Sequence, residues 1–186
     1  MLGDINSNLL WENYNGQKKL FLKIKKTEGS SKDKIIPCNP YTSKLISCLF
    51  NGLELFPITP SSNIFIIDDY SNQVLYELSE IISIGEIYTQ NHFKNNSQNM
   101  RDLVDMAYLD LNENDKSIDM INQLKSVLKK NGFIILIINF KSNQFKIPKK
   151  IIQNILDNFH DSFEIIQEIN LSNYFRYSFM VMIMKK

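Results

Sequence analysis

Two adjacent carboxylates, Asp68 and Asp69, follow directly on the apolar run NIFII at residues 63–67. Paired carboxylates at a strand end suit a hard divalent cation such as Mg²⁺, so one reading of the chain is an α/β module that binds such a cation there. Softer metal chemistry is not expected. Cys38 and Cys48 are the only cysteines and have no partners at zinc spacing, while His92 and His160 stand alone. The same count argues against a disulfide framework. Lysines crowd the N-terminal stretch (Lys18, Lys19, Lys23, Lys25, Lys26, Lys32, Lys34) and recur at Lys141, Lys146, Lys149 and Lys150, with Asp102, Asp105, Asp110, Glu113, Asp115 and Asp119 between them. A dedicated nucleic-acid binder is distinctly basic, and this chain has a formal net charge of only +1. The lysine groups therefore read either as a basic surface or as solvated edges.

The elements that would position such groups alternate. Residues 20–26, LFLKIKK, read as a strand followed by the turn-rich TEGSSKDK, a small β appendage. Leu45, Cys48 and Leu49 fall on one face of a helix over residues 42–50, which Asn51-Gly52 can end. Pro57 and Pro60 punctuate a loop before the 63–67 strand, an apolar run of the kind buried on both faces of a parallel sheet. Val74, Leu75, Leu78, Ile81 and Ile82 then keep helical spacing, and Gly85 turns the chain into a strand at 86–90, completing a βαβ unit. After the Asn-rich connection 91–99 come a strand at 104–109 and a helix carrying Ile118, Ile121, Leu124, Val127 and Leu128 that ends at Asn131-Gly132. A strand at 133–138, a helix opened by Pro148 and two closing strands at 163–169 and 176–184 follow. This order predicts a three-layer α/β sandwich with a mostly parallel, Rossmann-like sheet and a C-terminal antiparallel strand pair.

At 186 residues, with 44% hydrophobic and 22% charged residues, the chain is expected to fold around one main core, with residues 1–35 as the appendage and 36–186 as the body. Its longest apolar run, residues 133–138, is far short of the roughly 20 residues that span a bilayer. The opening MLGDINSNLLWEN lacks a signal pattern. The expectation is an intracellular, cytoplasmic protein with no membrane association.

The string NPYTSKL, Asn39 to Leu45, is similar to the Asn-Pro-aromatic-x-Ser-Lys-Leu segment that opens the catalytic body of fibrillarins, the RNA 2′-O-methyltransferases of box C/D particles. GEIYTQN, the VDMAYLDL strand, KKNGFIILIINFK and NYFRYSFMVMIM fall in that family's order, so the resemblance covers residue 36 to the C-terminus. It implies a class I methyltransferase fold, with S-adenosylmethionine held beyond the carboxyl end of the first body strand.

The same resemblance implies a damaged site. The family's glycine- and alanine-rich turn is here IDDYSNQ, with Asp68 and Asp69 at crowded positions where carboxylates repel the methionine carboxylate of the cofactor. The acidic residue that ends the second strand is replaced by Gln90 or Asn91, and the short connection to residue 104 leaves one βαβ unit shortened or missing. Of the catalytic set, Lys44 matches the first lysine and Asp110 the aspartate. The second lysine falls on Asn139 without a gap, or on Lys141 if the strand slips by two, and the histidine reads Ser178. The leading expectation is a catalytically inactive structural subunit with no cofactor. It would pair with a Nop-type scaffold protein in a heterodimer or heterotetramer, meet RNA through that complex, and be nucleolar in a eukaryote. Leu9, Leu10, Trp11, Tyr174, Phe175 and Tyr177 would serve either the partner or the core. The alternative is an active RNA ribose 2′-O-methyltransferase that uses S-adenosylmethionine in an altered site.

Overall fold

The computed structural model describes residues 9–24, 34–68, 72–90, 101–112, 117–140, 153, 157 and 161–186. Strands β1 (Leu9–Tyr14) and β2 (Gln17–Ile24) form a hairpin, and β3 (Lys34–Pro37) adds antiparallel to β2. β1 is an element the hydrophobic pattern alone does not announce. Its signal is Asn15-Gly16, both at positive φ (52° and 76°), the residue pair that a two-residue type I′ hairpin turn requires. Leu20 and Leu22 of β2 turn inward and join the core of the main body.

Helix α1 (Lys44–Phe50) starts two residues later than expected, because Asn39 holds a turn through Tyr41 N to its Oδ1 and Thr42 N to its carbonyl. Ser43 caps the helix by accepting from Ile46 N at 3.2 Å. After it come β4 (Ile64–Asp68), α2 (Gln73–Ile81), β5 (Ile87–Thr89), β6 (Val104–Asn112), α3 (Ser117–Val127), β7 (Leu128–Asn139), β8 (Phe163–Asn170) and β9 (Ser178–Lys185). The main sheet runs β5-β4-β6-β7-β9-β8, parallel from β5 to β7 and antiparallel through β9 and β8. Strand order reverses at β4, which puts the carboxyl ends of β4 and β6 at the crevice where ligands bind in such folds. Among the described residues β5 is an edge, as the shortened connection implies. The connection itself (residues 91–100) lies outside the described residues, as does most of the helix expected after Pro148.

One face of the sheet packs against α1, α2 and Leu20/Leu22, the other against α3. Strand alternation sorts the side chains: Met106, Tyr108, Ile135, Ile137, Met180 and Met182 face α1 and α2, whereas Ala107, Leu109, Ile134, Leu136, Val181 and Ile183 face α3. The third helix ends at Val127, not at Asn131-Gly132. Asn131, at φ 61°, and Gly132 instead form a corner inside β7, where a Cβ on Gly132 would meet the Leu128 side chain at 2.8 Å. Among the described residues no helix is long and apolar enough to cross a membrane.

The loop before β4 is fastened by Pro60, whose carbonyl accepts from the N–H groups of Ser83, Ile84 and Gly85. Gly85 lies so close beneath it that a Cβ would sit 2.0 Å from the Ser62 carbonyl oxygen. Gly85→Ala is therefore expected to lower unfolding stability by about 3 kcal/mol, as for severe overpacking. Urea denaturation checks this, and a loss below 1 kcal/mol would contradict the close approach.

Candidate functional site

Alternation brings three polar side chains to one place. Counting outward along the face that carries Tyr108, Ile137 and Met180, the next positions at the carboxyl ends of β6 and β7 and the start of β9 are Asp110, Asn139 and Ser178. Asn139 and Ser178 are direct cross-strand partners. Lys44, the first residue of α1, reaches into the same cluster. Its Nζ donates to both carboxylate oxygens of Asp110 (2.9 and 2.8 Å) and to Asn139 Oδ1 (2.9 Å). Asn139 Nδ2 donates to Asp110 Oδ1 (2.6 Å) and to the Leu111 carbonyl (3.0 Å), while its Oδ1 also accepts from Ser178 Oγ at 2.7 Å. Both amide hydrogens of Asn139 thus have acceptors, and the ammonium faces three acceptor oxygens, two of them on one carboxylate. The Phe175 ring covers the ammonium at 5.6 Å, and the Lys44 and Asp110 side chains are only 11% and 3% exposed.

Of the two placements of the second lysine position, Asn139 joins the cluster, and Lys141 lies outside the described residues. Lys44 and Asp110 come together as the resemblance implies, but the cluster contains an amide and a hydroxyl in place of a second cation and an imidazole. Neither an amide nor a hydroxyl titrates near neutral pH, so neither supplies the acid–base chemistry of an imidazole.

Asp68 ends β4 as the Cα partner of Asp110, while Asp69 and Asn91 lie outside the described residues and Gln90 is exposed. No group of three or more His, Cys, Asp or Glu side chains is placed to hold a metal among the described residues. Both cysteines are free thiols. Burial, helped by the Glu77 carboxylate, pushes Cys38 up to about 12, and burial with Asp110 raises Cys48 further. Of the six residues offered to a partner or the core, Leu9, Trp11 and Phe175 pack against the α1/α2 side and Tyr177 against the α3 side; Leu10 is exposed. Tyr174 stacks edge-on with Tyr41 and Phe50.

The glycine-free turn after β4 was expected to hinder the close approach of a cofactor; its residues 69–71 lie outside the described residues. At the entry to α2, Asn72 stands at φ 51°, and asparagine tolerates the left-handed region far better than other non-glycine residues.

No family model matches the chain. Fibrillarin-like rRNA/tRNA 2′-O-methyltransferases of Saccharolobus islandicus and Saccharolobus solfataricus are 25% and 26% identical to it over 165 residues, covering 73% of this chain and 71% of theirs. In structure it is similar to the fibrillarin pre-rRNA processing protein of Methanococcus jannaschii (TM-score 0.74, 18% identity, 96% of this chain and 98% of that one). It is equally similar to a chain of a fibrillarin/Nop5p complex (TM-score 0.74, 16% identity, 96% and 98%). Aeropyrum pernix fibrillarin with natively bound S-adenosyl-L-methionine superposes at TM-score 0.71 (16% identity, 95% and 94%). Mixed sheet, helix placement and ligand-end cluster define a class I methyltransferase fold with a small N-terminal antiparallel sheet. Within that class the chain is a divergent fibrillarin-like protein. The expectation that no cofactor is involved is overturned by these findings: the relatives in sequence are named as methyltransferases, and a fibrillarin of the same fold carries S-adenosylmethionine.

Two outcomes follow from this geometry. Lys44→Met leaves the Asp110 carboxylate buried without its cation and is expected to cost about 3–5 kcal/mol, most of it recovered in Lys44→Met/Asp110→Leu, because breaking a buried pair costs more than replacing it. Thermal melts of the three proteins read this directly. Alkylation of native Cys38 at pH 8 is expected to run on the order of a thousandfold slower than that of an ordinary thiol, since the thiolate is the reactive form. Mass-spectrometric counting of adducts measures it.

Proposed function

We propose that this chain is a fibrillarin-like structural subunit that pairs with a Nop-type scaffold protein and meets RNA through that complex, its ligand-end cluster holding the fold together without efficient methyl transfer. The observation that carries this reading is the self-satisfied Lys44–Asp110–Asn139–Ser178 network. Asp110 and Asn139 put three acceptor oxygens around the Lys44 ammonium, so a ribose hydroxyl would have to compete with internal partners. The amide and the hydroxyl beside it offer no general base, a contribution typically worth about 10²–10⁴-fold in rate. The scaffold is supported by the match, over nearly the whole chain, to a fibrillarin taken from its complex with Nop5p. Such a complex would place the protein inside the cell, at the nucleolus in a eukaryote.

This reading does not require that the cofactor be absent. S-adenosylmethionine, when bound, would supply the methyl group, and the residues placed to hold it are Asn72 and the first turn of α2, which no side chain caps, beside the end of β4. A second reading, an active RNA ribose 2′-O-methyltransferase, is favoured by one feature: Lys44 and Asp110 remain paired at the ligand end of the sheet.

Co-expression with a Nop-type scaffold separates the readings. The chain is expected to elute as a stable hetero-complex and to transfer methyl groups from labelled S-adenosylmethionine to guide-directed RNA at least about 100-fold more slowly than an archaeal fibrillarin. Asn139→Lys/Ser178→His is expected to raise transfer. Failure to associate, or transfer at the archaeal rate by the unaltered chain, would overturn the structural-subunit reading.

A further inference from the structure

Glu77, in the middle of α2, is a carboxylate that the Lys44 cluster does not contain. It is 5% exposed, on a helix whose Val74, Leu78 and Ile81 belong to the apolar core. Burying a carboxylate costs several kcal/mol of lost hydration even after relaxation, and an apolar side chain here would pack against the same core. Packing alone therefore does not explain it.

Its partners do. Ser43 Oγ donates to Glu77 Oε2 at 2.6 Å, and Gln73 Nε2 donates to Glu77 Oε1 at 3.1 Å. Ser43 is the N-cap of α1 and immediately precedes Lys44; the same Oγ accepts from Ile46 N. Gln73 is the first residue of α2, directly after the left-handed Asn72 that completes the turn from β4. One carboxylate thus joins the openings of two helices. The first sets the starting point of the Lys44 side chain, and the second borders the crevice at the end of β4.

Helix α1 has only seven residues, far below the length at which a helix holds itself in water. Its first turn has no basis for a fixed position except tertiary ties; it is tied to buried charges by Ser43 to Glu77 and by Lys44 to Asp110, and the Ser43 tie acts on the backbone from which the Lys44 side chain starts. We infer that Glu77 is a positioning residue: it clamps the first turn of α1 to the first turn of α2 and so fixes where the Lys44 ammonium meets Asp110 and Asn139. The inference goes beyond the proposed function and holds whether or not the chain transfers methyl groups.

The test compares Glu77→Leu and Glu77→Gln with the unaltered protein. Leucine fills the space without a charge, so Glu77→Leu is expected to stay folded with a melting temperature equal to or above the original. Glutamine keeps an oxygen for the Ser43 hydroxyl, and the Gln73 amide can turn to meet its amino group. The readout is hydrogen exchange of the Lys44 side-chain NH₃⁺, followed by ¹⁵N NMR at mildly acidic pH and assigned by its loss in Lys44→Arg. In the unaltered protein and in Glu77→Gln the signal is expected to be protected; in Glu77→Leu exchange is expected to rise about tenfold or more, as the clamp opens locally. Equal protection in folded Glu77→Leu would overturn the inference, and so would equal loss in Glu77→Gln and Glu77→Leu. Scaffold co-elution and methyl transfer play no part in this comparison, so its failure is distinct from failure of the functional reading.

Discussion

An ammonium and a carboxylate that are both nearly out of water constrain everything around them. Lys44 and Asp110 come from elements 66 residues apart, and each gives up hydration that the other alone does not restore. The deficit is made good by neighbours: the Asn139 amide, which bonds to both, the Leu111 carbonyl behind it, and the Ser178 hydroxyl. These contacts require α1 to begin where it does and β7 and β9 to keep their register. Glu77 lies on the other side of Ser43, so a second buried charge bears on the same first turn.

The sheet supplies the rigid frame for that arrangement. Its central strands are apolar on both faces, and period-two alternation sends successive side chains to opposite layers. The rule that buries Tyr108 and Ile137 against α1 and α2 also delivers Asp110 and Asn139 to that side, one step beyond the apolar run. The cluster is therefore an extension of core packing to the end of the sheet.

The same fold recurs in structures of low sequence identity to this chain. Near 25% sequence identity, and at 16–18% identity to solved fibrillarins, the backbone still superposes over almost the entire chain. At the start of α2, Asn72 takes a left-handed conformation, which asparagine tolerates better than most residues other than glycine.

Order and type of most elements, from the helix that Ser43 caps to the closing strand pair, were legible from periodicity alone, because continuous apolar runs and helical stripes have few other ways to be buried. The first strand was legible only through Asn15-Gly16, and the end of α3 was misplaced because Asn131-Gly132, a plausible helix stop, serves as a corner within β7. The sequence by itself determined the layered α/β body and the resemblance carried by Asn39 to Leu45. Only the tertiary structure decided that Asn139 joins the Lys44 cluster and that Glu77 reaches Ser43. Those contacts join side chains 29 to 95 residues apart, and strand register and helix position, which no local pattern encodes, determine which of them meet.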